Sequence, residues 1–179
     1  MEHEITSSNL VYKSDEIRIY EDQLKSKEGK IEVLNRINLK GDAAIVVPLF
    51  QDGSLLMVEN YRHGARTILL ELPAGMRSTE NEEPFETARR ELLEETGYTC
   101  RTLEELNWYY TWPAKVSQKM YVFLAKGLER RSSHNLTDFE NVKVRILSRQ
   151  QVIHEIKHGK IKSPVTISAL VNAYFSNSV

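Results

Sequence analysis

A single cysteine, Cys100, is all the thiol chemistry this chain carries. That excludes an internal disulfide and any zinc site built from paired cysteines. Neither charge predominates: the formal net charge is −1, which removes the electrostatic case for a non-specific nucleic-acid binder. No apolar run is long enough to span a bilayer, so a membrane partner is not expected. Met1-Glu2-His3-Glu4 does not read as a secretory leader, and a soluble cytoplasmic protein is the expectation. Internal repeats, low-complexity tracts and interdomain linkers are also missing. What remains is an ordinary globular composition, 41% hydrophobic and 27% charged over 179 residues. That length suits one domain with a core of its own.

The first 40 residues read as short strands. Ile17 and Ile19, like Ile31 and Val33, alternate with charged residues, a pattern expected of half-buried antiparallel strands. Residues 43–50 form a near-continuous apolar run, which predicts a strand buried on both faces. Asp52-Gly53 predicts a hairpin turn into residues 55–58. Strand character returns at 67–70, 108–112, 120–125 and 142–147. Three helices are legible, from about Pro84 to Thr96 with Gly97 as its stop, from about Arg149 to Lys157, and from Ser163-Pro164 onward. In the first, Phe85, Ala88, Leu92 and Thr96 share a stripe expected to face the core. In the third, Ile167, Leu170, Val171 and Tyr174 are expected to point inward. Many strands with few helices predict an α+β fold.

The run Arg90-Glu91-Leu92-Leu93-Glu94-Glu95-Thr96-Gly97-Tyr98 is the most informative part of the chain. On a helix, Glu94 and Glu95 lie within one turn of Glu91, at i+3 and i+4, and like charges at that spacing weaken an isolated helix. A hard divalent ion such as Mg²⁺ would compensate them. Angular spacing puts Glu91 and Glu95 at the border of the core stripe and Glu94 further out. A solvated acidic face is the alternative reading of the same residues.

Reading back from the helix, Glu82 lies eight residues before Arg90, and Gly75 closes Leu72-Pro73-Ala74-Gly75. Together these positions resemble the Nudix hydrolase box, G-x5-E-x7-R-E-U-x-E-E-x-G-U, where U is a bulky apolar residue. Nine constrained positions agree in type: Gly75, Glu82, Arg90, Glu91, Leu92, Glu94, Glu95, Gly97 and Tyr98. One extra residue separates Gly75 from Glu82, in the polar stretch 77–81, where an insertion costs little. It leaves the placement of Glu82 open. Glu71-Leu72-Pro73-Ala74-Gly75, Asn60-Tyr61-Arg62 and Pro113 resemble the branch that cleaves ADP-ribose and nucleoside diphosphate sugars, with Asn for the usual Gln and Ala114 for the usual Gly.

The resemblance implies a Nudix-type α/β/α sandwich with a mixed sheet at 41–179 and a small antiparallel β element at 1–40 that forms a homodimer. It implies metal-dependent hydrolysis of a pyrophosphate, with Mg²⁺, or Mn²⁺ in its place, as cofactor and a nucleotide sugar as substrate. Glu91 and Glu95 would be the primary metal ligands, with Glu94 assisting a second ion and the Ala74 carbonyl adding an oxygen. Such an ion neutralises pyrophosphate charge and lowers the pKa of bound water. Arg90 and Glu82 read as an ion pair holding loop to helix. Arg62 reads either as a phosphate fork or as a salt bridge. Glu140 is the first candidate for general base and Asp138 the second, with an ordinary loop acid as the alternative for each. Gln118 stands where relatives have an acid, and a Gln cannot take a proton. His154 and His158, at i and i+4, lack a third ligand and suit the helix dipole. The alternatives in function are hydrolysis of GDP-mannose, dinucleoside polyphosphates or RNA 5′ ends, and a non-catalytic nucleotide-sugar sensor.

Overall fold

The computed structural model describes residues 3–79, 81–131 and 142–176. Three strands come first, β1 (Glu4–Lys13), β2 (Ile17–Lys25) and β3 (Ile31–Leu39), paired in chain order as an antiparallel sheet. A seven-stranded sheet follows, from β4 (Ala43–Leu49), β5 (Leu55–Arg62), β6 (Thr67–Glu71), β7 (Ala74–Met76), β8 (Tyr98–Tyr110), β9 (Lys119–Arg130) and β10 (Lys143–Leu147). Its helices are α1 (Pro84–Thr96), α2 (Arg149–Lys157) and α3 (Pro164–Phe175). The chain divides into two compact units, Met1–Asp42 with Tyr109–Lys119, and Ala43–Trp108 with Met120–Val179.

In the first unit, the alternation of β2 is half-buried at Ile17 and Ile19 as expected. Ile31 and Val33 differ: they are 64% and 50% exposed. Alternation reports which face a side chain takes, not whether that face is covered along its whole length: the same face is half-buried at Ile37 and Leu39 and open at Ile31 and Val33. Asp22 is the buried exception on the middle strand. Its carboxylate accepts Arg36 Nε at 2.8 Å and the Ser8 hydroxyl, and these charge-assisted bonds hold it below the ordinary carboxylate pKa.

In the second unit, the strands run in the order β10-β5-β4-β9-β8, with β6 on β5 and β7 on β4. The apolar run 43–49 is the central strand, β4, which pairs parallel with β9 and antiparallel with β5 and β7. Ala44 and Val46 pack with Leu56, Phe123 and, from α1, Ala88 and Leu92. The alternate residues Ile45 and Val47 are equally buried, and α3 packs against the same strand. A mixed sheet between helices results, as expected.

Helix α1 spans the expected residues. Pro84 opens it, where a missing N–H costs nothing, and Gly97 ends it with a left-handed φ of 74° and an N–H bond to the Leu93 carbonyl at 2.8 Å. Phe85 does not join the core stripe. It is 37% exposed and packs edge-on against Phe123, and Thr87 is buried instead. In α3 the buried face is Thr166, Ala169, Leu170 and Ala173, while Val171 is exposed. Small side chains let the helix approach β4 closely, which turns Val171 outward. Ser163 precedes α3 but makes no side-chain capping bond. Strand β7 has only three residues and carries no periodic signal, and β8 begins ten residues before the predicted strand at 108.

Candidate functional site

Strand β7 and helix α1 build the site between them. The register Ala44↔Gly75 sets β7 beside the central strand, and α1 packs over both. Glu91 and Glu95, one helical turn apart, are 9% and 7% exposed, with Ala88 and Leu92 on the same buried side. Glu94, further round, keeps 46% of its side chain exposed. Buried carboxylates are rare without a partner, because desolvation penalises the charged form. Burial, followed by the neighbouring Glu91 charge, pushes the Glu95 carboxyl up to about 8. Its Oε2 accepts the Ala74 N–H at 3.0 Å.

The Glu91 carboxylate lies directly over the Gly75 backbone, in space that any β-carbon at residue 75 would fill. Only glycine permits that approach. The donor set is all oxygen, with two of its members buried, and this suits a hard divalent cation. Among the described residues no three acidic, cysteine or histidine side chains converge on one point. Glu95 is turned to the Ala74 amide, while Glu91 and Glu94 both accept from Arg90.

Arg90 reaches back to the loop as well. Its Nε meets Glu82 Oε1 at 3.0 Å, and Glu82 Oε2 accepts the Ser78 N–H at 2.6 Å. The Arg90 hydrogen bond, with Ser78 behind it, holds the Glu82 carboxyl down at about 2. Ahead of α1, the Glu82 N–H also bonds the Thr79 carbonyl at 3.2 Å.

Arg62, at the end of β5, donates Nε to Glu71 Oε2 at 2.6 Å. Glu71 is 5% exposed, so this pair is no surface bridge. Both charges are felt at Glu95, Arg62 lowering its pKa and Glu71 raising it. Two participants were given no role by the sequence. Glu71 stands there only as the first residue of Glu71-Leu72-Pro73-Ala74-Gly75, and Thr166 is a helix residue 94 positions away whose Oγ1 accepts the Leu72 N–H at 3.2 Å. That bond fixes the segment leading into Pro73-Ala74-Gly75.

The other sequence candidates lie elsewhere. Pro113 belongs to the first unit, where it lines a cavity of about 350 Å³ with Leu24, Leu34 and the Asp22–Arg36 pair. Gln118 in the same unit donates to the Gly41 carbonyl at 2.9 Å. Asp138 and Glu140 lie outside the described residues. His154 and His158 stack, ring centroids 3.9 Å apart, at the end of α2.

Comparison with known proteins agrees with this geometry. The chain is 26% identical over 170 residues to the methanol dehydrogenase activator of Bacillus methanolicus, covering 94% of this chain and 91% of that one. It is 26% identical over 171 residues to the ADP-ribose pyrophosphatase of Bacillus subtilis, covering 95% and 91%. A crystal structure of an ADP compounds hydrolase superposes with a TM-score of 0.85 at 21% identity, over 100% of this chain and 98% of that one, and so shares its fold. The NUDIX domain matches residues 39–167, a span holding every carboxylate of the α1 site, and the chain belongs to that family.

Proposed function

We propose that this protein hydrolyses the pyrophosphate bond of ADP-ribose or a related nucleoside diphosphate sugar, giving a nucleoside monophosphate and a sugar phosphate. The observation that carries the reading is the pair of buried carboxylates one helical turn apart, Glu91 over Gly75 and Glu95 against the Ala74 amide. Glu91, Glu95, Glu94 and the Ala74 carbonyl would hold Mg²⁺, or Mn²⁺ in its place. When bound, the cation supplies charge neutralisation at the pyrophosphate and polarises its oxygens.

The chain's own residues do the rest. Glu71 orients the Arg62 guanidinium through Nε, which presents its Nη edge to a phosphate oxygen. The Ala74 N–H holds Glu95 in place, and Gly75 leaves room for Glu91. Glu140, or Asp138 if Glu140 is too distant, takes the proton from the attacking water, which approaches one phosphorus in line with the leaving oxygen.

The same proposal includes a homodimer formed through the three-stranded sheet and action in the cytoplasm. Ile5, Leu10, Val11, Ile31 and Val33 of that sheet are each at least half exposed, a concentration of apolar surface that supports a protein partner. Among the described residues no helix is long and apolar enough to cross a membrane.

Product chromatography tests the activity, using ADP-ribose, GDP-mannose, a diadenosine polyphosphate and 5′-triphosphate RNA, each with Mg²⁺ and with EDTA. Metal-dependent cleavage of the nucleotide sugars is expected. Tight ADP-ribose binding with no turnover of any compound would replace the hydrolase with a sensor.

A further inference from the structure

A guanidinium carries five N–H donors in one plane, and Arg90 makes five bonds with them. Nε and Nη2 grip Glu82 at 3.0 and 3.3 Å, and Nη2 also donates to the Met76 carbonyl at 2.8 Å. Nη1 donates to Glu91 Oε1 at 2.7 Å and to Glu94 Oε2 at 2.9 Å. One side of the fork therefore holds the loop. The other joins two of the carboxylates that the proposed function gives to a divalent cation.

From this geometry we infer that Arg90 is a positioning residue that competes with the metal for Glu91 and Glu94, and that Glu82 sets the strength of that competition. The inference rests on the proposed metal-binding reading of the site. Nη1 engages one oxygen of each carboxylate, Glu91 Oε1 and Glu94 Oε2, and a cation drawn to the same carboxylates is repelled by the guanidinium beside them. Entry of the ion therefore works against the Nη1 bonds. Arg90 has somewhere to go, because Glu82 and the Met76 carbonyl keep their bonds to Nε and Nη2. Glu82 is itself anchored, accepting both the Ser78 N–H and its hydroxyl, at 2.6 and 3.0 Å. Neutralising Glu82 removes the pull of the loop and leaves Arg90 on the helix carboxylates. Removing the Arg90 charge has the opposite effect and frees both carboxylates for the ion.

An ordinary strut between loop and helix gives a different sign. If Arg90 only orients Glu91, removing it loosens the ligand and weakens metal binding. The test is direct Mn²⁺ binding to the full chain, followed by the loss of free Mn²⁺ signal in electron paramagnetic resonance, with circular dichroism to check folding. R90M is expected to bind Mn²⁺ on the order of 10-fold more tightly than the unaltered chain, and E82Q on the order of 10-fold more weakly. The double variant R90M/E82Q is expected to match R90M, since Glu82 acts through Arg90. Unchanged or weaker binding by R90M overturns the inference. Should R90M not fold, E82Q decides: unchanged Mn²⁺ affinity there overturns it as well. If the unaltered chain binds no Mn²⁺, the metal reading of the site falls and takes this inference with it. Binding by the unaltered chain without the R90M gain removes this inference alone.

Discussion

The Glu91 carboxylate rests on the Cα of Gly75, closer than any side chain at residue 75 would allow. The contact ties a helix side chain to a three-residue strand, and both are fixed by the central strand beneath them. A Gly75→Ala substitution forces Glu91 or β7 to move. The group that must move is the end of a flexible side chain, so the expected loss of stability is under about 1 kcal/mol, with a 10- to 100-fold fall in metal-dependent turnover. Thermal melts and turnover measured on the same preparation check both halves.

Thr166→Val keeps the shape of the side chain and removes the acceptor of the Leu72 N–H. The amide is then buried and unpaired, at an expected cost of about 1–3 kcal/mol. Turnover is expected to fall because Leu72 leads into Pro73-Ala74-Gly75, while a Thr166→Ser variant restores both. Chemical denaturation and steady-state kinetics on the two variants test this.

The pH dependence follows from Glu95. Its folded carboxyl is raised from 4.5 to about 8, chiefly by burial and next by Glu91. Between those values the folded chain binds more protons than the unfolded one, so stability is greatest at the acid end of the window and falls as pH rises through it. On the proposed metal reading, a divalent cation would take the place of that proton. Melting temperatures in EDTA are expected to drop from pH 5 to pH 8.5, and the gain from added Mg²⁺ is expected to grow over the same range. A gain independent of pH would argue against Glu95 as a ligand.

Val33→Asp places a carboxylate on the exposed apolar face of β3, where Val33 is half exposed. Burial of that charge in a dimer contact is unfavourable, and the dimer is expected to weaken by at least about 10-fold, or about 1.4 kcal/mol. Light scattering across a dilution series reads the change. A chain that is monomeric before substitution would remove the dimer from the proposal.

Much of the fold was legible because it rests on local signals. Pro84 and Gly97 bound α1 through backbone geometry that any sequence reader can see. The apolar run 43–49 announced a strand with no solvent face. Strand β7 escaped because three residues cannot display a period. Val171 was misassigned because α3 approaches β4 through Ala169 and Ala173, and small residues add little to an apolar stripe. The site divides the same way. Helical spacing brought Glu91 and Glu95 together, and a helix fixes that spacing whatever surrounds it. Thr166 acts across the fold, so nothing near it in the chain marks its partner, and Glu71 meets Arg62 through the pairing of β5 with β6, whose register the sequence does not print.

The parallel pairing of β4 with β9 constrains how the molecule forms. Ala43 meets Met120 and Leu49 meets Lys126, so the central strand waits for a partner made much later in synthesis. Antiparallel neighbours β5 and β7 arrive sooner, and α1 can settle on β4 and β7 while one edge of β4 is still unpaired. Closing so long a loop is slow relative to hairpin formation. On a ribosome, the acidic helix and its glycine seat would therefore assemble first, and the sheet that makes them rigid would be completed last.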